Sequence, residues 1–386
     1  MLKRVILFVS FLSTFSLFLA QHEASAAVPA HHTEVIVAPL TPAEVEKQEN
    51  KDFIDHHILD AHSFDIMVKK NDDGTEKHIG FPLPVIFYDQ ENGLHTMMSS
   101  AFHHGTEMKD HHGKKYKVIE SKGSKYALYH EKIYKTNADG TFSLDDHGHP
   151  INKKMIDFSI TKSVLMIIIT SLLMIILFTS MARGYKKSAV PTGAARLLEP
   201  LVIFIRDEIA KPNIGAKYKK YVGYLLTIFF FILILNIFGL MPFGINVTGQ
   251  LAVTAALAIF TFLITQFTAN KNYWQHIFWM PGLPFLMKLV MIPIELIGMF
   301  IKPFALLIRL FANMTAGHIV VMSLIAMIYV FKNIIGGVAF PFLTFVLYLL
   351  EILVAFLQAY IFTMLSAVYF GMANEEHHHE EGVAHH

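Results

Sequence analysis

Beyond about residue 158 the apolar residues of this chain gather into long, almost unbroken runs; before it, apolar and polar positions mix over short distances. Residues 158–182 suffice for one bilayer crossing, which needs about 20 apolar residues. Arg183, Lys186 and Lys187 follow and put that end in the cytoplasm by the positive-inside rule. Residues 194–210 carry a Leu/Ile/Val face interrupted by Arg196, Glu199, Arg206, Asp207 and Glu208, the pattern of an amphipathic helix at the cytoplasmic interface. Residues 221–241 cross outward to Pro242, and 250–267 return inward to Lys271. Two longer runs follow, 285–331 and 338–373. As single helices they would be about 70 and 54 Å long, against a hydrocarbon thickness of about 30 Å. They must tilt, bend or break, and Pro293 and Pro303 offer bend points. The short linker Lys332–Gly337 makes them an antiparallel hairpin.

The opening residues 1–27 read as a secretory signal: Lys3 and Arg4, an apolar core from Val5 to Ala20, then Ala24-Ser-Ala26 for cleavage. The competing reading, an uncleaved anchor, is less favoured because the core is short for a span. Either way residues 28–157 are exported. Ala43 to Lys51 suits a short helix. Asn71-Asp-Asp-Gly74 and Asn137-Ala-Asp-Gly140 are turn signals, and Tyr126–Tyr134 with Thr141–Leu144 suggest a hairpin about the second of them. A small, loosely packed α+β cap is expected. The fold class is therefore an all-α polytopic membrane protein with about five transmembrane helices, one interfacial helix and this exported region. The domains are 1–27, 28–157, a membrane domain 158–374 and a polar tail 375–386.

Composition agrees: 386 residues, 53% hydrophobic, mean hydropathy +0.44. A net charge of +1 gives no field that favours nucleic acid. The absence of cysteine excludes disulfides and Cys metal sites. No phosphate-loop or dinucleotide motif is present, so no cofactor is expected. Fifteen of the 22 His lie between His22 and His149. Pairs such as His103-His104 and His111-His112 could bind metal, but their spacing matches no ligand set, and no resident metal is expected.

Candidate chemistry lies in the two last runs. A charge in hydrocarbon costs roughly 3 kcal/mol or more and is retained where it faces protein or water. The first run carries Glu295, Lys302, Arg309, Asn313 and His318; the second carries Glu351 and Gln358. Each has a plainer explanation: Lys302 can snorkel from the cytoplasmic end, Asn313 can be interhelical hydrogen-bond glue, and Arg309 can pair structurally with a carboxylate. Together they are ordered. In an antiparallel hairpin centred near residue 334, one register faces Arg309 with Gln358 and His318 with Glu351. The second pairing needs curvature, because Arg309 and His318 are half a turn out of phase. His318 lies about 13 Å outward of Arg309 and Glu295 about 21 Å inward. His and Glu exchange protons near neutrality; Arg stays charged and acts as a barrier.

These residues resemble the a subunit of F-type ATP synthase, through Pro293-Ile-Glu295, Lys302-Pro303, Leu307-Ile-Arg-Leu-Phe-Ala-Asn-Met-Thr-Ala-Gly-His318, Leu357-Gln-Ala-Tyr-Ile-Phe362 and Asn236-Ile-Phe-Gly-Leu-Met-Pro242. The resemblance covers roughly residues 158–374. It implies a non-catalytic proton-channel stator beside a c-subunit ring and a b-subunit stator, in the bacterial inner membrane, N-terminal region outside and C-terminus inside. It implies an Arg309 that meets the ring carboxylates, a Gln358 that orients it, Glu295 on the inner half-channel, and His318 and Glu351 on the outer one. Some relatives carry Glu and His where this chain has His318 and Glu351, and Asp where it has Gly239. A secondary proton-coupled transporter with a metal-capturing outer region is the alternative; it would need internal repeats, and none is visible. A membrane anchor would leave the ordered charges unexplained.

Overall fold

The structure is a computed structural model that describes residues 60–70, 76–109, 115–145, 150–187, 193–241, 246–279, 284–330 and 334–375. The signal segment 1–27, the helix expected over Ala43–Lys51, the Asn71–Gly74 turn, His111-His112 and residues 376–386 of the tail lie outside the described residues.

The cap is built of short antiparallel strands. β1 (Ser63–Lys70) pairs β2 (Glu76–Pro82). β3 (Pro84–Asp89) lies between β4 (Gly93–Met98) and β9 (Ile156–Asp157). β5 (Thr106–Lys109), β6 (Lys115–Ser121), β7 (Ser124–Tyr129) and β8 (Lys132–Lys135) form a meander. Helix among the described cap residues is the single turn α1 (Ser100–His103), and the rest of their regular structure is strand. Val85 and Phe87 of β3 point inward and are fully buried, while Ile86 and Tyr88, which alternate with them, are more exposed, the period of a half-buried strand.

The expected hairpin is corrected. Its turn is His130–Glu131, between β7 and β8, with φ of 47° and 58°. Asn137–Gly140 forms a turn as expected, Gly140 N–H donating to Asn137 O at 2.9 Å, but it leads only to isolated bridges. A two-residue turn with both φ positive is normally signalled by Asn-Gly. Here tertiary contact selects it, because the turn delivers Glu131 to His62.

Five helices are long and apolar enough to cross a membrane. α2 (Lys162–Lys187) follows the cap. α3 (Ala194–Phe204) continues through a π-helical segment (Ile205–Ala210) and α4 (Lys211–Ile214) to α5 (Tyr218–Leu240). α6 (Leu251–Thr268) is followed by α7 (Lys271–Phe278), an element not expected from the pattern. α8 (Phe285–Val330) and α9 (Ile334–Asn374) form the hairpin. Both are continuous helices, so breaks at Pro293 and Pro303 are not the solution the chain adopts. Gly336 and Gly337 lie inside α9 rather than in the linker. At 1.5 Å per residue α8 is about 69 Å long, which leaves tilt or extension beyond the hydrocarbon as the ways to fit it.

α5 is the centre of the bundle. It is apolar all round, with Leu225 and the run Ile228–Ile232 buried, as a helix packed on every side requires. α9 packs on it through small residues four apart, Ala355, Ala359, Thr363 and Ala367, all buried. Where α9 ends, Asn270 N–H donates to Ala373 O at 2.8 Å and Asn374 Nδ2 to Tyr221 OH at 2.7 Å, tying α9 to the segment after α6 and to the start of α5.

Candidate functional site

The hairpin carries six residues of interest, and neighbouring helices position them. α8 lies against α9 and α6, and α9 lies against α5. Gln358 faces the hairpin interior and is 1% exposed. Its Oε1 accepts a 2.8 Å hydrogen bond from Asn313 Nδ2. The expected Arg309–Gln358 contact is thus replaced by one between Gln358 and the residue one turn beyond Arg309. Both Arg309 and Asn313 are exposed on the chain, and among the described residues Arg309 makes no hydrogen bond or ion pair. Its charge is felt by Tyr369 of α9.

The expected facing of His318 and Glu351 is not a direct contact. His318 and Glu351 are both half-buried but form no ion pair or hydrogen bond with each other. His318 Nε2 is buried without a partner among the described residues. The Glu351 carboxylate instead lies against Gly317, in the space a β-carbon would fill there. One stratum of the hairpin therefore holds both groups, at adjacent positions rather than in contact. Glu295 lies toward the Phe285 end of α8, half-buried, close enough for its charge to act on Lys302.

Several polar residues here escape sequence reasoning. Asn236 of α5 is fully buried; its Nδ2 donates to Ala355 O at 3.1 Å and its Oδ1 accepts from Thr248 Oγ1 at 2.8 Å. Asn246 Oδ1 accepts from Gly249 N–H at 3.0 Å, and Gly249 O accepts from Thr315 Oγ1 at 3.3 Å. The loop between α5 and α6 thus folds inward and meets α8 two residues before Gly317. The one signal in the sequence was a lone Asn236 amid Phe, Ile and Leu. Asn246 and Thr248 follow Pro242 and look like ordinary loop residues.

Along the hairpin the arrangement offers two titratable groups on the Val330 side of Arg309, one on the Phe285 side, and a permanent cation between them. Such a set can accept, hold and release protons; it contains no nucleophile aligned with a base. Among the described residues no three His, Asp or Glu side chains converge on a metal-sized site.

The cap is fastened to α2 by a second cluster. His62 is 3% exposed; its Nε2 lies 2.6 Å from Asp157 Oδ2 and its Nδ1 3.6 Å from Glu131 Oε2. Burial alone would depress the His62 pKa, but the two carboxylates outweigh it and raise it to about 10. Burial pushes Asp157 up, and bonds from His62 and Ser159 draw it below the usual carboxylate range. Asp60 Oδ1 accepts from Ser163 N–H at 3.0 Å at the first turn of α2.

The family model described as ATP synthase A chain matches residues 164–371. A second, described as a domain of unknown function, matches residues 53–158. The chain is 49% identical over 244 residues to the ATP synthase subunit a of Pelodictyon phaeoclathratiforme, covering 60% of this chain and 71% of that protein. It is 48% identical over 241 residues to the ATP synthase subunit a 2 of Chlorobium luteolum, covering 60% and 70%.

Proposed function

Since the chain belongs to the ATP synthase A chain family, we propose that it is the stator half of the proton channel of the ATP synthase, and that Arg309 separates two offset half-paths. It performs no bond chemistry itself. A ring of c subunits presents carboxylates to the exposed side of α8. Each carboxylate releases its proton to one half-path and reloads from the other, and rotation couples this flux to ATP synthesis elsewhere in the complex. Arg309 holds the passing carboxylate in its charged form and blocks direct leakage between the paths, because its guanidinium does not deprotonate. Asn313 and Gln358, hydrogen-bonded to each other, shape the wall beside it. His318 and Glu351 serve the outer half-path, with the Asn236–Thr248 network as its polar lining, and Glu295 serves the inner one. A b-subunit stator holds the chain against the turning ring. The setting is a bacterial inner membrane, with the cap outside and the C-terminus inside.

Support comes chiefly from Arg309 itself: a charged residue midway along a membrane-length apolar helix, exposed among Ile308, Ala312 and Asn313, with no counter-ion among the described residues. A charge so placed is too costly to persist without a partner from outside the chain.

ATP-driven proton pumping in membrane vesicles tests this, comparing wild-type chain with Arg309→Ala at equal complex assembly. Pumping is expected to vanish in the variant. Normal pumping with assembly intact would overturn the assignment.

A further inference from the structure

Seven residues inward of Arg309, Lys302 borders a cleft where α6, α8 and α9 meet. Its polar lining is Thr261, Thr265, Gln266, Tyr273, Lys302 and Tyr369. It offers about 10 Å³ to the centre of a water molecule, at the threshold of the roughly 10–15 Å³ that one water needs.

The hydrogen-bond account of the cleft does not close. Thr261 Oγ1 donates to Leu257 O at 2.9 Å and Thr265 Oγ1 to Thr261 O at 2.8 Å, so both threonines use their protons within α6. Gln266 Nε2 donates to Tyr273 OH at 3.4 Å. Its Oε1 is then buried with no partner among the described residues. Leaving such an acceptor unmet costs about 1–3 kcal/mol. Lys302 brings donors to the same cleft. An ammonium carries three donors, and among the described residues Lys302 Nζ reaches Met372 Sδ at 3.9 Å and the face of the Tyr369 ring at 5.8 Å. The lining of one water-sized space thus includes spare donors and an unmet acceptor.

Resting on the proton-path reading above, we propose that this cleft is a binding site for a single water that bridges Lys302 Nζ to Gln266 Oε1, and that the bridge makes Lys302 a second fixed cation of the inner half-path. The water accepts from Lys302 and donates to Gln266, so the buried acceptor is met by a donor held from Lys302. Glu295, Lys302 and Arg309 are seven residues apart and share one stripe of α8. Tyr369 links the upper two, lying under the Lys302 ammonium and within the field of Arg309. A tethered Lys302 repels metal cations from the space behind Arg309, while Glu295 beyond it supplies the group that exchanges protons. Lys302 and Gln266 are therefore positioning residues, not relays.

The test is a high-resolution cryo-EM map of the assembled complex, for wild type and Gln266→Leu, with a double-mutant cycle in ATP-driven pumping using Gln266→Leu and Lys302→Met. Wild type should show one water density between the two atoms. Gln266→Leu should lose it and displace the Lys302 head. Each single variant should lose part of the pumping rate, and the double variant should be no worse than the worse single, because both break one bridge. A dry cleft, an unmoved Lys302 in Gln266→Leu, or losses that simply add would each overturn the proposal. If Gln266→Leu fails to assemble, the wild-type density decides. Arg309→Ala in the same assay separates the two claims: normal pumping there sinks the proton-path reading, whereas its loss alongside a dry cleft sinks only the water site.

Discussion

Gly317 and Gly371 are both helical glycines of the hairpin, yet a methyl group at each would meet a different obstacle. At Gly317 it would strike the end of the Glu351 side chain, which can rotate away. At Gly371 it would strike the backbone carbonyl of Asn213 in α4, which cannot move without moving a helix. Gly317→Ala is therefore expected to leave the complex assembled and to reduce ATP-driven pumping, because Glu351 is pushed from its place beside His318. Gly371→Ala is expected to lower stability by about 1–3 kcal/mol through overpacking, reducing the amount of assembled complex while each complex that forms keeps its pumping rate. Immunoblots of membranes combined with pumping per assembled complex separate the two outcomes; equal behaviour of the variants would contradict the geometry. At this scale the sequence was informative where hydrocarbon makes a polar residue costly: Arg309, Gln358 and Glu351 stand out against apolar neighbours. It was silent where a polar residue sits near the end of a span. Gln266 and Thr248 look like residues that could reach water, and only the packing of α6, α8 and the inward-folded loop buries them.

The helices were legible because a bilayer imposes length and polarity on each element separately, and the bounds of α5 and α6 fall within three residues of the apolar runs that announced them. The strands were not, because their turns and registers depend on contacts made across the cap. His130–Glu131 has no local reason to form a tight turn; Glu131 earns its place by approaching His62, which also holds Asp157 at the foot of β9. This junction has a calculable pH response. The folded His62 pKa is raised, so its contribution is complete below about pH 6.5 and is lost as pH rises through the folded value near 10. The Asp157 pKa is depressed, so its contribution is present above its ordinary value of 3.8 and is lost as pH falls through the folded one. The junction should be tightest between about pH 4 and 6.5. Hydrogen exchange of amides 156–164 is expected to quicken from pH 6 to pH 9 by more than the intrinsic base-catalysed increase. In His62→Leu that excess should vanish, with faster exchange at every pH. An unchanged excess in the variant would assign the pH response elsewhere.

On the scale of the whole molecule, cap and bundle have separate hydrophobic cores. Two small clusters hold the cap, one around Val85, Phe87 and Tyr126 and one around Tyr116 and Phe142. A much larger cluster runs through α2, α5, α6, α8 and α9, and among the described cap residues Phe64 alone packs against it. The polar ties at Asp60, Ala61 and His62 are local to the start of α2. Small cores of this kind bury too little to match the bundle in stability, since burial scales with the size of the core. Among the described residues the two parts are thus coupled by the packing of Phe64 and a few hydrogen bonds, which is weak beside the stability of the bundle core. Hydrogen exchange of the assembled complex should show it directly. Amides of β6–β8 should exchange well before those of α5, and Phe64→Ala should speed exchange in β1 and β2 while leaving α5 untouched. A single protection level across both parts, or acceleration in α5 on Phe64→Ala, would mean that the cap and the membrane domain unfold as one cooperative unit. The proton path would then be mechanically tied to the outer cap, and a cap variant such as His62→Leu would have to alter pumping. With separate cores it should not, because the candidate path belongs to α8 and α9 and the loop that meets them, whereas the described polar ties of the cap are to the start of α2.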